Sequence, residues 1–197
     1  MITYVYYAEM PSLIGNAELY PKERMTEILR CRSEKTRKDK YWVWVLLEKA
    51  LADAFDLDIA NLKFTKLPTN KWISDKCCFS LSHTDGAVAV AVSELGVGVD
   101  IEEVKSLRSG IEGRILTDFE ISALAGKTLA EREEYVLEKW CEKEAIFKKG
   151  YSEALMPRTI ETSDYKTEKL RVTLSDKEYL IAVCADSEVI LRKVELN

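Results

Sequence analysis

Apolar positions along the 197-residue chain follow two periods, and the switches between them mark the elements. ITYVYYA, residues 2–8, is β-branched and aromatic and reads as a strand that Pro11 ends. From Ser33, the segment SEKTRKDKYWVWVLLEKALADAF places Val43, Leu47, Ala50, Leu51 and Ala54 at helical spacing. That periodicity predicts a long helix, although YWVWV alone would suit a strand. AVAVAVS, residues 87–93, is a continuous apolar run of strand length, and Gly96 and Gly98 interrupt the chain before a second run, VGVDIEEV. The two runs are expected to form a hairpin. Thr117 with Glu120, and Thr128 with Glu131, match the capping box, in which a hydroxyl and a carboxylate three residues apart satisfy the free amides of a helix start. The second box opens a helix expected to run to Gly150, with Lys148 and Lys149 facing the negative end of its dipole. KLRVTL, YLIAVC and VILRKVEL supply three closing strands.

The order helix, strands, helix, strands, with no proline- or glycine-rich linker, predicts two similar α+β lobes, residues 1–96 and 97–197, packed closely together. A hydrophobic content of 47% is enough to build a core. A net charge of -5 argues against general nucleic-acid binding, which needs a basic footprint to displace counterions from phosphates. Cys31, Cys77, Cys78, Cys141 and Cys184 form neither a CxxC pair nor a zinc-ligand spacing and are expected to be reduced thiols. The N-terminus has no basic leader before an apolar run, and no apolar stretch is long enough to span a bilayer. A soluble, cytoplasmic protein is expected.

Several short patterns carry candidate chemistry. In a strand over VGVDIEEV, Asp100 and Glu102 point to one side and Ile101 to the other. Two carboxylates on one patch repel unless a proton or a cation intervenes, and hard oxygen ligands suit magnesium. A solvated edge strand fits the same pattern. In WCEKEAIFKKG, Trp140, Glu144 and Lys148 are four apart and stack along one helical face, so an ion pair over a packed tryptophan accounts for them equally well. FSLSH ends in His83, the single histidine, and a turn is expected at Thr84, Asp85 and Gly86. A hydrolase triad is excluded, because Ser82 and His83 diverge in a strand and no GxSxG elbow is present. LGVGVDI lacks the third glycine of a dinucleotide fingerprint, and GxxxxGK[ST] is absent. Arg30, Arg32, Lys35, Arg37, Lys38 and Lys40 face only Glu34 and Asp39, a local basic patch suited to phosphates or an acidic partner.

Taken in order, FSLSH, VGVDIE, FEISAL and WCEKEAIFKKG resemble the signature of the Sfp-type 4'-phosphopantetheinyl transferases, over roughly residues 24 to 185. The resemblance implies an α+β pseudodimer of two similar lobes, each a long helix on a small antiparallel sheet, with the active site at the lobe interface. It implies that Asp100, Glu102 and Glu144 bind magnesium, or manganese in its place, and that Glu144 is also the general base or its relay. It assigns Lys148 to the coenzyme A phosphates and Ser82 and His83 to the nucleotide part. Lys71, in NKWIS, stands where the family has a GKP segment, with Asn70 and Trp72 in place of the glycine and the proline. Arg37 and Lys40 are the candidates for the 3'-phosphate. The implied partners are coenzyme A, as substrate, and an acyl or peptidyl carrier protein. Neither nucleic acid nor membrane is expected, and a monomer suffices. A non-catalytic relative that binds coenzyme A or a carrier, and a magnesium-dependent phosphohydrolase, are the competing readings.

Overall fold

The computed structural model describes the chain from residue 1 to 197 apart from Ala17, Ser109 and 152–155. β1 (Ile2–Glu9) is followed by α1 (Lys22–Leu29) and α2 (Glu34–Phe55). A short hairpin, β2 (Phe64–Lys66) and β3 (Trp72–Ser74), precedes β4 (Cys78–Thr84), β5 (Ala87–Ser93) and β6 (Val97–Glu103). The short α3 (Glu112–Ile115) and α4 (Asp118–Ser122) lead into α5 (Leu129–Ile146). The chain closes with β7 (Thr167–Leu174), β8 (Lys177–Ala185) and β9 (Glu188–Lys193).

Besides the β2-β3 hairpin, two larger sheets form among the described residues, in the orders β4-β5-β1-β9 and β6-β8-β7, with α2 packed on the first and α5 on the second. The mixed α+β architecture expected from the sequence is present. Every residue of β5 is buried, which explains its uninterrupted apolar run: it lies between β4 and β1 with both faces covered. Helix α2 settles the ambiguity of YWVWV. Residues 41–47 are buried all round, by the sheet on one side and on the other by aromatic neighbours that include Phe64 and Trp72. A segment with no exposed face has no amphipathic signal to show. Burial of side chains such as Trp44, Leu46 and Leu47 contributes about 1.5–3 kcal/mol each before chain entropy is counted. Ser33 caps the helix, its hydroxyl accepting from the Thr36 amide at 3.3 Å, and both predicted capping boxes are formed.

Three expectations are corrected. The hairpin partner of β5 is β4, through the turn at Asp85–Gly86, where Gly86 has φ of 80°. It is not β6, because both edges of β5 are already occupied and β6 pairs with β8 instead. Gly98 is therefore no breaker. It lies inside β6, where a Cβ would collide with the Ala145 carbonyl and sit 2.6 Å from the Lys149 amide nitrogen, so its missing side chain lets the strand press on the end of α5. Second, β9 leaves the second sheet and runs parallel to β1, with Val5 opposite Leu191. Residues 97–197 thus do not keep all their strands, because the free edge of β1 offers the last strand a full ladder. Third, α5 stops at Ile146 and Phe147–Tyr151 form a wider π turn closed by Gly150 at φ 103°.

Candidate active site at the seam between the sheets

The two sheets meet edge to edge, and alternation along β4 builds the seam. Ser80, Ser82 and Thr84 face β6, while Phe79, Leu81 and His83 face the other way. Ser80 Oγ accepts from the Val99 amide at 3.0 Å and Ser82 Oγ from the Ile101 amide at 3.3 Å, so hydroxyls stand in for a missing backbone ladder. Ser82 also donates to Asp100 Oδ1 at 2.7 Å, and Thr84 donates to Glu102 Oε2 at 3.3 Å. Trp140 of α5 donates its indole N–H to Glu102 Oε1 at 2.9 Å. Asp100 is only 4% exposed, with Ile101 in the core behind it, and its Oδ2 is buried without a hydrogen-bond partner.

Lys148 pairs across the seam and not along its own helix. Its ammonium lies 2.6 Å from Asp100 Oδ1 and 3.0 Å from Ser82 Oγ. The helical ion pair that offered the alternative explanation of Glu144 and Lys148 is not formed, because the π turn after Ile146 removes Lys148 from the i, i+4 register. Glu144 has no hydrogen-bond or ion-pair partner among the described residues. Burial, together with the charges of Asp100 and Glu102, raises the Glu144 carboxyl above its ordinary range, against the pull of Lys148. Glu102 is likewise raised, by burial first and then by Asp100.

A cavity of about 790 Å³ opens beside this patch, between α1, α2, the β2–β3 hairpin, β4 and the π turn. Lys148, Lys71, Lys40 and His83 line it, so four of the sequence candidates share one space, whereas Ser82, Asp100, Glu102 and Glu144 lie outside its lining and Lys148 joins it to Ser82 and Asp100. Lys71 donates to the Lys148 carbonyl at 2.6 Å, tying the hairpin loop to the π turn, and burial lowers its pKa. His83 Nδ1 stands 3.8 Å from Asp39 Oδ2. Desolvation holds the ring below its usual pKa, with Asp39 opposing and Lys148, Lys35 and Arg24 adding to the shift. Arg37 does not line the cavity, and its buried Nε has no partner among the described residues.

Sequence reasoning passed over Arg24, Glu27 and Lys66. Arg24 is 5% exposed and stacks over Trp44 at 4.7 Å, which no local pattern announces. It also passed over the buried pair Lys143–Glu120, at 2.5 Å, which joins α4 to α5. The FEISAL and KEA blocks were visible, but their meeting was not. All five cysteines are free, and burial pushes the Cys77 and Cys184 thiols up to about 11, which excludes them as ready nucleophiles. Among the described residues no helix is long and apolar enough to cross a membrane.

Among the described residues, no three His, Cys, Asp or Glu side chains are gathered closely enough to hold a metal ion as they stand. The donors nonetheless fit a hard divalent cation: Glu102 and Glu144 are disfavoured as free anions by burial and by the charge of Asp100, and Asp100 keeps a buried oxygen unpartnered.

Five lysine and arginine side chains of the described residues thus line the cavity, and Lys148 joins it to the acidic patch on β6. Comparison with known proteins gives the family. A sequence model of the 4'-phosphopantetheinyl transferase superfamily matches residues 96–193. The chain is 32% identical over 132 residues to the 4'-phosphopantetheinyl transferase psf-1 of Bacillus pumilus, covering 60% of this chain and 57% of that protein. It is 27% identical over 176 residues to a 4'-phosphopantetheinyl transferase of Bacillus subtilis, covering 79% of each. It is 30% identical over 107 residues to the 4'-phosphopantetheinyl transferase ffp of Bacillus subtilis, covering 53% of this chain and 48% of that one. The chain belongs to the 4'-phosphopantetheinyl transferase superfamily. The matched stretch spans little more than half of the Bacillus pumilus relative.

Proposed function

We propose that this protein transfers the 4'-phosphopantetheine arm of coenzyme A to a serine of an apo acyl or peptidyl carrier protein, releasing 3',5'-ADP. The observation that carries the reading is Lys148: it lines the cavity while its ammonium rests on Asp100 and Ser82, so one side chain joins the anion-binding space to the acidic seam. The family membership and the names of the relatives supply the reaction type.

In this reading the carrier serine oxygen attacks the β-phosphorus of coenzyme A. A new P–O bond forms, the bond to the bridging oxygen breaks, and 3',5'-ADP leaves with that electron pair. The serine proton passes to Glu144, which is unpartnered and raised toward the working pH by its surroundings. Lys148 faces the pyrophosphate and offsets charge on the transferred group. Lys71, His83 and Lys40 hold the nucleotide end, and Arg37, just outside the cavity, adds long-range attraction. A divalent cation, magnesium or manganese, held by Asp100, Glu102 and Glu144 would neutralise pyrophosphate oxygens. Both halves of the site come from one chain, so the enzyme works as a monomer in the cytoplasm.

The test is incubation with coenzyme A, magnesium and an apo carrier, followed by mass spectrometry of the carrier. A gain of one phosphopantetheine per carrier supports the reading. Binding of coenzyme A with no gain points to a non-catalytic relative, and hydrolysis of coenzyme A without modification of the carrier points to a phosphohydrolase.

A further inference from the structure

Glu27 occupies an unusual position for a carboxylate in an anion-binding cavity. Among the described residues lining it, Glu27 is the one carboxylate, against the cations Arg24, Lys40, Lys66, Lys71 and Lys148. Its Oε1 accepts from Arg24 at 3.1 Å and from Lys40 at 2.8 Å, and its Oε2 from Lys66 and from the Trp72 indole, both at 3.1 Å. The four donors come from α1, α2, β2 and β3, so the cluster ties together four elements that wall the cavity. Burial alone would raise the Glu27 carboxyl, but Lys40, Lys66, Arg24 and Trp72 pull it down to about 2. It is ionised at every working pH, and its side chain stays 22% exposed, within reach of a ligand in the cavity.

A phosphate monoester carries about -1.5 to -2 charges and three acceptor oxygens, and it would seek the same donors. Glu27 already engages them and repels a second anion at close range. We propose that Glu27 is a specificity-determining counter-anion: it weakens the grip of the Arg24–Lys40–Lys66 cluster on the 3'-phosphate, so that coenzyme A and the 3',5'-ADP product, which both carry that group, are held loosely enough to exchange. The inference rests on the reading that the cavity takes coenzyme A.

Calorimetric titration of coenzyme A and 3'-dephospho-coenzyme A into wild type and Glu27→Gln tests it. The amide keeps the shape and an acceptor oxygen but removes the charge. Coenzyme A is expected to bind about tenfold tighter to the variant, with a steeper salt dependence, and 3'-dephospho-coenzyme A within about twofold of wild type. In Glu27→Gln/Lys66→Gln the net charge of the cluster returns to that of wild type, and the preference for the 3'-phosphate should return with it. This double variant also serves if the single one folds poorly. Unchanged or weaker coenzyme A binding in Glu27→Gln, equal changes for both ligands, or a double variant that keeps the tightened preference overturns the proposal while leaving the functional reading intact. Failure of wild type to bind either ligand overturns both.

Discussion

The two ends of the site, the basic cluster in the cavity and the acidic patch beside it, are electrostatic inverses. At one end, three cations surround a single carboxylate, Glu27, and pull its pKa to about 2. At the other, the carboxylates Asp100, Glu102 and Glu144 crowd near a single ammonium, Lys148, and Glu102 and Glu144 are raised. All the carboxyl groups given a shift here lose solvation on burial, so burial does not account for the opposite signs. The local excess of charge does. One end is stable as it stands, its carboxylate held by four donors. The other holds anionic charge that is relieved when a proton or a cation arrives.

The hardest way to break the comparison is to remove charge from the acidic end. Glu144→Gln is expected to cut transfer by about 10³-fold or more with little change in melting temperature, in assays of holo-carrier formation. Near-normal turnover would remove Glu144 from the mechanism. An ordinary surface carboxylate would move neither quantity.

The acidic end exists only because β6 presses on α5, so its next weakness is steric. Gly98→Ala places a Cβ against the Ala145 carbonyl and is expected to cost about 3 kcal/mol, read as a lowered denaturant midpoint, with transfer reduced in the fraction that stays folded. A stable, fully active variant would show that the close approach is not needed.

Lys148→Ala sharpens the contrast between the two ends. Loss of the single ammonium is expected to lower turnover by about 10²-fold, and added magnesium should not restore it. Because Lys148 pulls Glu144 down against burial, the pH at which residual activity rises should move upward in the variant. An unshifted profile would mean that the base titrates independently of Lys148.

The smallest effect is on stability in acid. Glu27 has its folded pKa depressed from 4.5 to about 2, so it contributes stability above 4.5 that is lost as pH falls through that window. Glu102 and Glu144, whose folded pKa values are raised, have the opposite sign: they disfavour the fold when ionised, and that cost lifts as pH falls. Glu27→Gln should therefore flatten the loss of stability between pH 4.5 and 2 by about 1 kcal/mol or more, measured by denaturant melts across pH. A wild-type slope in the variant would place the cluster's contribution elsewhere.

Much of this was legible in the sequence, for a physical reason. Helix caps at Thr117 and Thr128, the turn at Gly86 and the alternation of Asp100, Ile101 and Glu102 are consequences of local geometry, and local geometry is written in neighbouring residues. The recurring blocks around Ser82, Asp100, Glu120 and Glu144 identified the family before any packing was known. What only the tertiary structure decided are the choices between equal local options and the meetings of distant residues. AVAVAVS pairs with whichever strands flank it, and Gly98 reads as a turn until a helix is set against it. Lys148 has a carboxylate four residues away in sequence yet rests on one 48 residues away, because a π turn and a close strand changed which carboxylate was nearer. Nothing in its local sequence singles out Glu27. Its meaning came from Lys40, Lys66 and Trp72, which the fold gathers from three other elements and no period in the sequence connects.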